Sequence, residues 1–67
     1  MIWNHRVIKE VEHDEEWYYL KEVYYYEDGK PSHCSDRPPI LNGESVEELR
    51  TILEQMLGAL DKPIINK

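Results

Sequence analysis

Apolar and aromatic residues recur with a period of about two between Ile2 and Glu27, the spacing that places side chains on alternate faces of a strand. From Val46 the period lengthens. Val46, Leu49, Ile52, Leu53, Met56, Leu57 and Leu60 follow one another as the stripe of an amphipathic helix does. The period-two region splits in two. Residues 2–11, IWNHRVIKEV, set Trp3, His5, Val7, Lys9 and Val11 on one side and Ile2, Arg6 and Ile8 on the other. Residues 16–27 set Trp17, Tyr19, Val23 and Tyr25 against Tyr18, Leu20, Tyr24 and Tyr26. The charged EHDEE between them reads as the tip of a hairpin.

Asp28-Gly29 then predicts a type I′ turn, because both residues tolerate positive φ. A third strand is expected over 30–37. Pro31 marks it as an edge with irregular pairing, and Pro38-Pro39 ends it. The helix is predicted over 46–61. Ser45 is a good N-cap, Glu48 three residues later completes a capping box, and Glu47 and Glu48 favour the positive end of the helix dipole. Pro63 stops the helix, and Ile64 and Ile65 in the tail are placed to pack back on the sheet.

These elements define one α+β domain over residues 1–67: a three-stranded antiparallel meander with one C-terminal amphipathic helix on one face. The lengths leave a surplus. The helix spans about 22 Å, whereas the second strand would span about 36 Å if straight. A bulge near Lys21-Glu22 would bend that strand. One alternating set of its aromatics is expected to pack under Leu49, Leu53 and Met56, and the helix-free face to stay open.

Composition narrows the function. Fourteen acids against eight bases give a formal charge of −6, which argues against direct binding to nucleic-acid phosphates or to an anionic membrane surface. A single cysteine excludes an intramolecular disulfide, and no apolar run approaches the roughly 20 residues of a membrane span. The N-terminus lacks the apolar core of a signal peptide, so the expected location is the cytoplasm. At 67 residues the core is small, and self-association is an available source of stability.

Candidate chemistry is sparse. His33 adjoins Cys34, but neighbours in a strand point to opposite faces, so the histidine is poorly placed to activate the thiol. His5, His13, His33 and Cys34 lack the paired short spacings of a zinc site, and the acidic turn lacks the pattern of a calcium loop. No glycine-rich phosphate loop is present. The expectation is no enzyme, no metal and no cofactor.

Two features remain. Glu10, Glu12, Asp14, Glu15 and Glu16 cluster at the first hairpin, where they could imitate nucleic-acid charge. Trp17, Tyr18, Tyr19, Tyr24, Tyr25 and Tyr26 crowd one strand, and such rings offer large apolar area, few rotors and a polar tip to a protein partner.

W-N-x-R-V at Trp3–Val7, E-V-Y-Y-x-x-D-G-K-P at Glu22–Pro31, G-E-S-x-E-E-L at Gly43–Leu49 and A-L-D-K-P at Ala59–Pro63 together resemble a family of small stand-alone bacterial proteins of unknown function. That resemblance covers most of the chain and brings no catalytic or binding residues. The β-β-β-α order with a GESVEEL helix start is more distantly similar to the sheet-helix domain of HicB-type antitoxins. The leading reading is therefore a small acidic adaptor or regulator that binds protein, another chain or a second copy of itself, through the tyrosine-rich sheet. An acidic inhibitor, such as a phage anti-defence protein that mimics DNA, is the alternative, and an antitoxin-like regulator the third.

Overall fold

The computed structural model describes residues 2–67. Its elements are β1 (Ile2–Glu12), β2 (Glu15–Tyr25), β3 (Pro31–Cys34), α1 (Val46–Ala59) and β4 (Ile65–Asn66). The α+β class and the single helix are as the periodicities predict. The sheet is not the expected three-stranded meander. It has four strands in the order β3-β2-β1-β4, and β4 runs parallel to β1, so the sheet is mixed. The tail that follows Pro63 is what adds the fourth strand: Ile65 pairs with Ile8, and the Lys67 N–H donates to the Lys9 carbonyl at 3.0 Å.

β1 and β2 pair without interruption from Ile2↔Tyr25 to Glu12↔Glu15. The expected bulge at Lys21-Glu22 is therefore absent. The irregularity lies instead against the edge strand. Tyr24 pairs with His33 and Tyr25 with Pro31, which leaves Ser32 as the extra residue of a bulge beside the proline that cannot donate.

The two hairpins exchange the expected turn chemistry. Two residues, His13 and Asp14, close the first hairpin with φ of 51° and 66°, the paired positive values of a type I′ turn. In the second, only Gly29 is positive, at 87°. Its N–H donates to the Tyr26 carbonyl and the Tyr26 N–H to that of Lys30, while the Asp28 carboxylate accepts from the Lys30 N–H at 2.9 Å. This is a three-residue loop with a left-handed glycine, a longer device than the two-residue turn expected there.

Helix α1 starts where the capping box predicts. The Glu48 N–H donates to Ser45 Oγ at 3.1 Å, while the Glu48 carboxylate accepts from the N–H of Glu44, one residue before the cap. Gly43 makes this possible. A Cβ there would lie 2.8 Å from Glu48 Cβ and 3.1 Å from the Leu49 nitrogen. Gly43→Ala is expected to cost about 1–3 kcal/mol by overpacking, read as a lower midpoint in thermal denaturation with the sheet signal otherwise native.

The helix packs on β1. The buried apolar set is small: Val7, Ile8, Val23, Met56 and Ala59, with His5 beside them. Among the described residues thirteen large apolar side chains stay exposed. The radius of gyration, 13.0 Å, agrees with that imbalance, since a compact chain of this length takes roughly 11 Å. The protein is a thin, curled sheet with one helix, and much of its apolar surface is not used by its own fold.

Candidate functional site

The β1–β2 register assigns every aromatic to a face. Trp3, His5, Val7, Lys9 and Val11 share the helix side with Glu16, Tyr18, Leu20, Glu22 and Tyr24. Ile2, Asn4, Arg6, Ile8, Glu10 and Glu12 share the other side with Trp17, Tyr19, Lys21, Val23 and Tyr25.

The helix-free side is not an open aromatic surface. Ile8 and Val23 at its centre are each only 2 % exposed. The sheet curls so that Cys34 on β3 and Ile65 on β4 border the same hollow as these two residues. Tyr25 and Tyr19 belong to polar networks there. Tyr25 Oη donates to Asn4 Oδ1 at 2.7 Å and accepts from Arg6 Nη1 at 3.1 Å, while Arg6 Nη2 donates to the Pro63 carbonyl. Tyr19 Oη donates to Glu12 Oε1 at 3.2 Å, and the Lys21 ammonium lies 5.1 Å from the Tyr19 ring centre. Partial burial and the Glu12 charge raise the Tyr19 hydroxyl above the ordinary phenol value. Both rings brace the fold at their hydroxyls.

Glu10 is the charged hub of this side, with Lys67 Nζ at 3.0 Å and Lys21 Nζ at 3.5 Å. The Lys67 hydrogen bond chiefly holds the Glu10 carboxyl below its ordinary value, against partial burial, with help from the Lys21 charge. The same hydrogen bond raises Lys67. A lowered carboxyl stabilises the fold above its unfolded-state pKa and stops doing so as pH falls through the folded value. Acidification through that range is thus expected to release the tail, seen as faster exchange of the Lys67 amide after correction for intrinsic rates. Glu10→Gln should remove this pH dependence; a Lys67 amide that keeps it in the variant would refute the tether.

On the helix side a row of rings crosses three strands. Trp3 meets His5 edge-on at 5.4 Å, lies 6.4 Å from Tyr24, and Tyr24 stacks on His33 at 4.9 Å and 14°. Tyr24 Oη donates to Glu22 Oε1 at 2.9 Å, and this bond chiefly raises its pKa. Trp3, His5 and Gln55 border hollows on that flank of the helix, one of about 390 Å³ with Gly58 and Lys62, the other with Ile40, Asn42 and Ile52.

The Trp and Tyr rings that remain exposed are Trp3, at the far end of the helix side, and Trp17, Tyr18 and Tyr26. They are not gathered on one face. Tyr18 sits diagonally from Val11 at the hairpin end of the helix side, Trp17 is on the reverse, and Tyr26 lies at the second turn. The acidic cluster is likewise dispersed and partly neutralised. Glu10 holds two lysines, Glu12 accepts from Tyr19, and Glu16 pairs with Lys9 at 3.1 Å, which leaves Asp14 and Glu15 at the tip.

The helix supplies what the aromatic strand does not. Leu49, Ile52, Met56 and Ala59, spaced 3-4-3, are its buried or half-buried side chains, with Gly58 beside them. Val46, Leu53, Leu57 and Leu60 form a second row, all exposed, with Leu57 at 66 %. Leu53, expected over the sheet, is therefore on the outer row. The width of the stripe was the available signal, because seven apolar positions occupy more of a helix than one sheet contact can cover.

Among the described residues no group of three or more His, Cys, Asp or Glu is arranged to hold a metal ion. Cys34 is half-buried and faces Val23, while His33 faces Tyr24 and has Ser32 Oγ 3.0 Å from its Nδ1. Among the described residues no helix is long and apolar enough to cross a membrane. Comparison with protein-family models, curated proteins and solved structures finds no match.

Proposed function

We propose that this chain is a small, non-enzymatic, cytoplasmic module that acts by binding protein. Its docking surface is the hairpin end of the helix side, Val11 and Tyr18, together with the outer row of α1. The observation that carries this reading is the exposure of Val46, Leu53, Leu57 and Leu60 in one row on a protein with five buried apolar residues among those described. Large contiguous apolar surface marks an interaction site far more often than an idle surface. The tyrosine-rich strand contributes through Tyr18, while Tyr19, Tyr24 and Tyr25 hold the sheet in shape. Membership in the family of small bacterial proteins suggested by the sequence motifs is part of the same proposal and adds no activity to it.

A photo-crosslinking residue tests the reading. Placed at position 57 in cells that express the protein, it should yield a discrete protein adduct, and placed at the exposed position 27 it should not. Tyr18→Ala with Leu53→Asp should erase the adduct without unfolding the chain, because both side chains are exposed. Equal labelling from both positions, or none from position 57, would sink the proposal.

A further inference from the structure

The outer face of α1 carries a charge pattern as well as an apolar one, and the two together select a partner. Val46, Arg50, Leu53, Leu57 and Leu60 follow one another at intervals of 4-3-4-3. This is the repeat by which one helix lays a seam against another, with a single polar residue in it. Glu47 and Glu54 each follow a seam position by one residue and lie seven apart, and Asp61, in the turn just past the C-cap Leu60, continues the spacing, so an acidic row borders the seam. All three are exposed. Arg50 lies 4.0 Å from Glu47, at the limit of an ion pair, and Glu54 and Asp61 have no cationic partner among the described residues.

The sheet beside this seam has room for a second helix. The Gln55 and Gly58 flank of α1 borders Trp3 and His5, so the opposite flank, with Leu53, Leu57 and Leu60, is turned toward the hairpin end. There Val11 and Tyr18 are exposed, at 63 % and 56 %. Helices pack about 8–10 Å apart, and a strand of eleven residues is about 36 Å long, so α1 alone leaves this end bare.

We infer that the partner is an amphipathic helix with a basic flank, seated beside α1 over Val11 and Tyr18. The inference rests on the protein-binding reading and names its occupant. A second copy of this chain fits less well. A two-fold axis perpendicular to the helix would set the row of Glu47, Glu54 and Asp61 against its own copy, in a chain already at −6.

Three synthetic peptides decide the matter: helical sequences with one leucine seam whose flanking positions are all lysine, all glutamine or all glutamate. In fluorescence anisotropy titrations the lysine peptide should bind at least about tenfold tighter than the glutamine peptide, and the glutamate peptide weakest. Its binding should weaken as salt rises from about 50 to about 500 mM. Leu53→Asp with Leu57→Asp should abolish binding, and a triple variant E47K/E54K/D61K should prefer the glutamate peptide. Circular dichroism confirms that each variant is folded. Binding blind to peptide charge, binding that survives the Leu53 and Leu57 changes, or no binding would overturn the inference. Dimerisation in sedimentation velocity that Leu57→Asp abolishes would overturn it in favour of a second copy, yet leave the protein-binding reading standing. A crosslink at position 57 with no peptide binding would also refute this inference alone.

Discussion

Arg6→Ala is expected to lower stability by about 2–3 kcal/mol, because hydrogen bonds to a charged group contribute about 1.5–3 kcal/mol each and their loss is only partly recovered by water. In a domain of this size that corresponds to a fall in Tm on the order of 10–20 °C. The reason is positional. Arg6 projects from the middle of β1 and ties the Pro63 carbonyl, at the exit of α1, to Tyr25 Oη and through it to Asn4. It is the cross-brace between the hairpin and the tail. Hydrogen exchange should therefore quicken more at the Lys67 amide, bonded to Lys9, than at amides in the middle of the β1–β2 ladder. Arg6→Met sharpens the test. The guanidinium Nε is buried and has no hydrogen-bond partner among the described residues. Methionine removes that unsatisfied group while retaining the apolar stem, so it should be less damaging than alanine. If alanine at position 6 leaves Tm unchanged, or loosens hairpin and tail equally, the brace does not exist.

Replacing His13-Asp14 by Asn-Gly is expected to act in the opposite direction and raise stability by about 1 kcal/mol. Both residues sit in the left-handed region, at φ of 51° and 66°, where an ordinary L-residue is strained by roughly 1–2 kcal/mol. Asn-Gly is the favoured pair of a type I′ turn, although the glycine also adds freedom to the unfolded chain and reduces the net gain. The converse change belongs at the other hairpin. Gly29 stands at φ 87°, and a Cβ added there would have nothing within 4 Å. Gly29→Ala therefore meets no clash, yet is expected to destabilise by about 1 kcal/mol through its backbone alone. Chemical denaturation of the two variants should show midpoints shifted to opposite sides of the parent. A destabilised Asn-Gly variant would refute the turn assignment.

The turns show where local sequence reading is strong and where it is not. Asp28-Gly29 does make a turn, since Asp28 caps Lys30 and Gly29 takes the positive φ. What the dipeptide could not specify was loop length, because that depends on how β2 and β3 pair, and Pro31 with the Ser32 bulge shifts their register. At the first hairpin the flanking ladder is regular up to Glu12↔Glu15, so His13 and Asp14, which tolerate positive φ less well than Asn-Gly, must close it. Pairing over eleven residues outweighs the strain of two.

The candidate surface divides the same way. Alternation was enough to sort every ring of β1 and β2 onto its face, because the side-chain period of a strand is local geometry. It was also enough for the capping box, since Ser45 and Glu48 act within one turn. Which face stays accessible was a tertiary matter. The helix-free side is closed at its centre by the curl that brings Cys34 and Ile65 beside Val23 and Ile8, and that curl depends on a parallel pairing between segments fifty-seven positions apart, Ile8 and Ile65. No local pattern encodes a partner at that distance, least of all for a strand of two residues.

By itself, then, the chain determined its hairpins, its one capped helix and the alternation of its rings, because these follow from dihedral preference, capping and periodicity within a few residues. Only the tertiary structure decided that the sheet is mixed, that Tyr19 and Tyr25 serve internal networks, and that the helix stripe splits into a buried row and an exposed one. Those outcomes turn on how much surface one helix can cover. On a sheet this long it covers Val7 and leaves Tyr18, Val11, Leu53 and Leu57 to solvent or to a partner.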